Sequence, residues 1–290
     1  MARRIAIIGL GLIGGSIGLA LKRAGSDGFE LVGYARRPET ADRALQLGAI
    51  DRVEGSLAST VDKAALVILA IPTMSVKEIL SQIGSHLPAG SVVTDVASTK
   101  VQVMKWAEES LPPSASFVGG HPMAGKELSG IDVADADLFK GCTYCIVPGR
   151  GASDDAVQTI VDLVHKVGAR HVFMNASDHD QFVAGISHLP LILASALVMA
   201  TTRSPHWSKM SEVAATGYQG ATRLASQHPR MNRDICLTNG ENIVSWIDDF
   251  TRELQRFRAL IVEGDLGLEQ AFDRARQARN AWIEEHDKKS

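Results

Sequence analysis

Over its first 175 residues the chain alternates short apolar runs with amphipathic ones. RIAIIG (4–9), ELVGYA (30–35), ALVILA (65–70), SVVTDV (91–96), SFVGG (116–120), TYCIVP (143–148) and RHVFM (170–174) read as strands. Apolar positions at three- and four-residue spacing between them predict helices over 12–24, 38–47, 75–86, 98–110 and 153–167. Strands that are continuously apolar and separated by helices point to a mainly parallel sheet covered on both faces. After Asn175 the strand-like runs stop, and helical patterns cover about 177–203, 205–216, 239–263 and 267–286. Trp246, Phe250, Leu254, Phe257 and Ile261 fall on one stripe of such a helix, a face for core or dimer packing. The expectation is an α/β domain over 1–176 and an all-α domain over 177–290.

Composition narrows the partners. With 45% hydrophobic and 22% charged residues the chain can bury a core, and its net charge of −3 offers no basic footprint for nucleic acid or an anionic membrane. Small-molecule partners fit better. MARRIAIIGLGLIGG imitates a signal peptide, but glycines break its apolar run. Residues 183–200 approach the length of a membrane span, yet His188 and Pro190 inside them favour a helix buried in a core or subunit interface. A soluble cytoplasmic protein is expected. Cys142 and Cys145 form a CxxC with no second such pair, on a segment that reads as a strand. Side chains three apart on a strand point to opposite faces, which disfavours a redox or metal role. No metal is expected.

Gly9, Leu10, Gly11, Leu12, Ile13 and Gly14 spell G-x-G-x-x-G between the first strand and the first helix. In that setting the first glycine allows a tight turn, the second lets backbone approach a pyrophosphate, and the third lets helix and strand pack closely. The helix N-terminus then offers unpaired N–H groups to the phosphates. The pattern predicts a doubly wound, Rossmann-type dinucleotide-binding domain. At the end of the second strand Ala35 stands where an NAD site usually places a carboxylate, and Arg36 and Arg37 follow. Arginine can hold a 2′-phosphate as a fork, so NADP is expected to be preferred, with NAD possible. Ile71 and Pro72 follow a strand at the carboxyl edge of the sheet, where ligands bind in such folds.

His121 lies in GGHPMAGKELSG, a stretch whose glycines and proline suggest a sharply bent loop after the fifth apolar run. Ser98, in DVASTK, follows the preceding run and reaches the same edge, either as the cap of a helix running on from Thr99 or as part of a site. An imidazole and a hydroxyl converging on a nicotinamide suit deprotonation of an alcohol as hydride departs.

The stretches IAIIGLGLIGGSIGLAL, LAIPT, TDVASTK, GGHPMAGKELSG, HDQFVAGISHLP, ATRLA and RDICLTNGENI resemble the prephenate/arogenate dehydrogenase family of tyrosine biosynthesis over nearly the whole chain. The resemblance implies an oxidative decarboxylation: a ring carbinol gives up hydride, the ring loses its carboxylate as CO2, and it becomes aromatic. It also implies that His121 accepts the proton of the 4-hydroxyl with Ser98 in support. Arg223 would bind a substrate carboxylate, His188 would touch the substrate side chain, and Glu127 would stand at the pocket mouth. A homodimer through the C-terminal helices is implied as well. The chain departs from the family pattern at Lys126, Leu191, Gly220 and Asn232, all expected around the substrate side chain or the interface.

Two other functions fit the same domain plan. A β-hydroxyacid dehydrogenase or imine reductase is one, but the hydroxyacid enzymes rely on a lysine in the helical half, and Lys209 in PHWSKMSE does not resemble theirs. A non-catalytic NADP sensor is the other, and it would not require His121, Ser98 and Arg223.

Overall fold

The computed structural model describes residues 3–25, 28–126 and 128–287. Eight strands make one sheet: β1 (Arg3–Ile8), β2 (Phe29–Tyr34), β3 (Arg52–Val53), β4 (Ala64–Leu69), β5 (Val92–Asp95), β6 (Ser116–Pro122), β7 (Thr143–Pro148) and β8 (Arg170–Phe173). Their spatial order is β3-β2-β1-β4-β5-β6-β7-β8. The first six therefore follow the 3-2-1-4-5-6 order of dinucleotide-binding sheets, with the order reversing between β1 and β4. All pairings are parallel except β6 with β7, which places His121 opposite Cys145 and Pro122 opposite Tyr144.

Alternation along the central strands feeds two cores. Ile5, Ile7, Leu66 and Ile68 pack into one cluster, and Ala6, Ile8, Val67 and Leu69 into the other. Helices α1 (Leu12–Arg23) and α2 (Pro38–Gln46) lie on the first face, where Ile17, Leu21, Ala41 and Ala44 are buried. On the opposite face lie α3 (Leu57–Val61), α4 (Val76–Ile83) and α5 (Val101–Ser110), which bury Val61, Leu80, Ile83, Val103 and Trp106. Returning to the first face, α6 (Asp154–Lys166) adds Ile160 and Val164. Burial on both faces explains why these strands show as unbroken apolar runs.

The long helix expected from 177 is three pieces in one run: α7 (Ala176–Val183), a π turn (Ala184–His188) and α8 (Leu189–Thr202). Pro190 has no N–H, and its ring displaces the carbonyl four residues back, so the wider π turn relieves the clash. The run Ala176–Thr202 is long and apolar enough to cross a membrane by length and composition alone, yet it carries the buried polar residues His179, Asp180 and His188. Then follow α9 (Trp207–Glu212), α10 (Thr216–Thr222), α11 (Pro229–Thr238), α12 (Gly240–Glu263) and α13 (Gly267–Asp287).

By its own contacts the chain divides into residues 1–240 and 241–290. The change of texture at 176 thus marks where the sheet ends, inside the first compact unit. Side-chain bonds tie the helices to the sheet half there: Thr238 Oγ1 lies 2.8 Å from Thr99 Oγ1, and Arg230 donates to Ser75 Oγ at 3.2 Å. In the second unit Phe257 stacks against Phe272 with ring centroids 5.3 Å apart, while Trp246, Phe250, Leu254 and Ile261 are exposed in the single chain.

Candidate active site

The glycine turn follows β1. Gly9 has φ +96°, and a methyl there would run into the Ala70 carbonyl, so only glycine fits. A methyl on Gly14 would strike the Gly9 carbonyl, whereas one on Gly11 would meet nothing within 4 Å. Two glycines let backbone pack against backbone, and the middle one faces open space. Gly11 caps α1 without a side-chain bond, so the first N–H groups of α1 stay available to an anion. Leu10 is buried, while Leu12 and Ile13 are half-buried beside it. Ile71 packs against Gly9 from the β4 side, with Pro72 exposed next to it. The residues present fit a dinucleotide.

Arg36 and Arg37 are exposed just beyond β2, and neither guanidinium has an ion-pair partner among the described residues. The neighbouring loop is fixed by Lys126, which pairs with Asp135 at 3.0 Å, and by Asp135 N–H, which donates to Ser16 Oγ of α1 at 2.9 Å.

His121 departs from expectation. It lies within β6, which continues through Pro122, so the residue belongs to a strand and not to a bent loop. Pro122 is tolerated because it is the last residue of the strand. The imidazole is only 7% exposed, and it has company. Its Nδ1 lies 2.9 Å from Nε2 of His179, whose Nδ1 lies 2.7 Å from Asp180 Oδ1. Nε2 of His121 bonds to no described residue. Burial, then repulsion from His179, Lys100 and His188 in their charged forms, hold the His121 imidazole well below its ordinary value of 6.5. A neutral histidine at working pH is a proton acceptor.

Lys100 is fully buried and forms an ion pair with Asp95, itself fully buried. The Asp95 carboxylate also accepts the N–H of Gly120 at 3.1 Å and of Ala97 at 2.8 Å. These bonds tie the ends of β5 and β6 together and turn the chain sharply after Asp95. That turn explains a second correction: the following helix begins at Val101 with Lys100 as its cap, and Ser98 occupies a half-buried bend before it. Ser98 does not cap the helix. Its first N–H groups donate to Asp180, Lys100 N at 2.6 Å and Val101 N at 2.9 Å.

His188 ends the π turn, 1% exposed, with the Ser98 backbone against its ring. Asn239 Nδ2 lies 3.3 Å from its Nδ1 and also donates to the Asp180 carbonyl at 2.7 Å. Burial pushes the His188 imidazole down to about 4 against the pull of the Asp180 carboxylate. Its Nε2 is buried and has no well-aligned hydrogen-bond partner among the described residues.

The structure therefore joins His121, Ser98 and His188 in one cluster. Arg223 lies apart in sequence and element, exposed at the start of a 3-10 turn (Arg223–Ser226) that packs on α8. Glu127 lies outside the described residues. His179, Asp180 and Lys100 were not singled out from sequence, although HDQ and TDVASTK contain them. Of the departures, Leu191 is buried in α8 and the Asn232 Oδ1 is buried without a partner among the described residues.

A glycine turn open to a pyrophosphate, on a sheet whose carboxyl edge also carries a buried neutral imidazole, defines a dehydrogenase using a nicotinamide dinucleotide. Comparison with known proteins makes the class specific. The model of the prephenate dehydrogenase nucleotide-binding domain matches residues 17–173, and that of the prephenate dehydrogenase dimerization domain matches 175–273. The chain belongs to the prephenate dehydrogenase family. It is 38% identical over 267 residues to a Bacillus subtilis prephenate dehydrogenase, covering 91% of this chain and 72% of the relative. A Zymomonas mobilis cyclohexadienyl dehydrogenase is 32% identical over 289 residues, 98% of each chain. The Aquifex aeolicus prephenate dehydrogenase solved with hydroxyphenyl propionate and NAD+ superposes with a TM-score of 0.90 at 30% identity, covering 97% of this chain and 98% of that one.

Proposed function

We propose that this protein catalyses the oxidative decarboxylation of prephenate and/or arogenate, giving 4-hydroxyphenylpyruvate or tyrosine plus CO2, with NADP preferred over NAD. One observation carries the reading: a buried neutral imidazole whose Nδ1 is anchored on His179 while its Nε2 is left unbonded, at the sheet edge that holds the glycine turn. The nicotinamide, when bound, accepts the hydride. His121 takes the proton of the ring hydroxyl, and Ser98 supports that hydrogen bond. Arg223 holds a substrate carboxylate as a fork, His188 meets the substrate side chain, and Glu127 stands at the pocket mouth. Loss of CO2 and formation of an aromatic ring pull the reaction forward.

NADP preference rests on Ala35 and on the two exposed guanidinium groups of Arg36 and Arg37, which have no ion-pair partner among the described residues. A homodimer is supported by the family's dimerization domain and by the apolar side chains that one chain leaves exposed, among them Ile186 at 72% and Leu254 at 59%. A second copy, and not a membrane, covers α8 in this reading, and the protein is cytoplasmic. The test is to follow reduced-nicotinamide absorbance with purified protein, either substrate and either cofactor. Turnover of at least one substrate is expected, with the lower Kd for NADP. Tight NADPH binding without oxidation of either cyclohexadiene would instead mark a nucleotide sensor and end the proposal.

A further inference from the structure

Asp180 carries a carboxylate that only accepts. Its Oδ1 receives the Lys100 N–H and faces Nδ1 of His179, and its Oδ2 receives the Val101 N–H. His179 must therefore donate from Nδ1. An imidazole with one proton then has a lone pair on Nε2, the atom 2.9 Å from Nδ1 of His121. His121 in turn donates from Nδ1, and its own lone pair falls on Nε2, the nitrogen left without a described partner. The Asp180 carboxylate is also held by two N–H groups at the positive end of α5. Lys100, paired with Asp95, also works against a positive charge on His121.

We propose that His179, backed by Asp180, is a positioning residue that fixes His121 in the tautomer whose Nε2 is basic and steadies the imidazolium once the proton arrives. This rests on the role given to His121 above. The arrangement parallels the orienting carboxylate of serine-protease triads, in which no proton needs to travel beyond the histidine base. The other groups facing His121 are His188 from the π turn, Asp95 from the end of β5, Lys100 at the cap of α5, and Tyr144 and Cys145 from β7. None of them is placed to fix its Nδ1. The Nδ1 bond runs to His179 alone among described residues.

Nitrogen-15 NMR of the labelled wild-type protein near pH 7.5, with the His121 signals assigned by their loss in His121→Asn, reads the tautomer directly. A protonated Nδ1 and a bare Nε2 are expected, and the reverse would overturn the proposal even if no His179 variant folded. His179→Leu, which removes the acceptor, should mix the tautomers and lower kcat by about 10²-fold or more, with substrate KM changed by less than about threefold. The acid limb of its kcat/KM profile should move as well. His179→Gln, whose amide oxygen can accept from Nδ1, should recover about tenfold of the loss. A His179→Leu enzyme with the wild-type tautomer and a kcat within about twofold of wild type would refute the role. Failure of the catalytic reading looks different: the expected tautomer in a wild type that turns over neither substrate.

Discussion

The glycine turn at Gly9–Gly14 and the cluster around His121 share the carboxyl edge of one sheet but solve opposite problems. The turn presents main chain, open and uncapped, and works because side chains are missing from it. The cluster works through side chains, nearly all buried, drawn from β5, β6, the start of α5, α7 and the π turn and pinned by main-chain N–H groups. In the first, function needs space that a methyl would fill. In the second, it needs imidazoles kept dry and uncharged, at a standing cost in solvation. Binding a cofactor and moving a proton therefore respond to different perturbations.

The sharpest break is His121→Asn. It should lower kcat by about 10²–10⁴ while cofactor Kd, measured by fluorescence titration, barely moves. Acid should come next. His188 titrates near 4 in the folded protein against 6.5 unfolded, so above pH 6.5 both states are neutral and stability is full. As pH falls below 6.5 the unfolded chain takes up the proton first, and stability drains away until about pH 4, by roughly 3 kcal/mol in all. His121, also depressed, adds a loss of the same sign. Urea melts across that range should show the loss, and His188→Gln should flatten it. Smaller effects test the turn. Gly9→Ala should cost about 1–3 kcal/mol of stability through its strained φ, whereas Gly11→Ala should melt like wild type yet bind cofactor more weakly. Smallest of all, replacing Arg36 and Arg37 with serine should weaken NADP by about tenfold and leave NAD nearly unchanged.

The two regions also differ in how openly the chain announces them. Strand, tight turn and helix are consecutive in residues 3–23, so spacing alone revealed the turn, and two-faced burial made the long strands visible. The two-residue β3 and five-residue α3 were too short to show any period. His179 and Asp180 were missed because NASDHDQF reads as an ordinary polar helix start, and Asn175 indeed caps α7. Only the approach of residues 58 positions apart gives that histidine a purpose. Lys100 was hidden likewise: a lysine opening a helix looks solvated until Asp95 is found beneath it. The strand through His121 was concealed by Pro122 and two glycines, which suggest a turn until β7 pairs alongside.

Asp180 holds the start of α5 through two main-chain bonds and holds His179 through a third. Any swing that pulled α7 away from the sheet would rupture those bonds together and cut the base loose from its anchor. Opening that side of the cleft and switching off proton abstraction would then be a single event, so an enzyme that breathes between turnovers has to flex somewhere beyond this clasp.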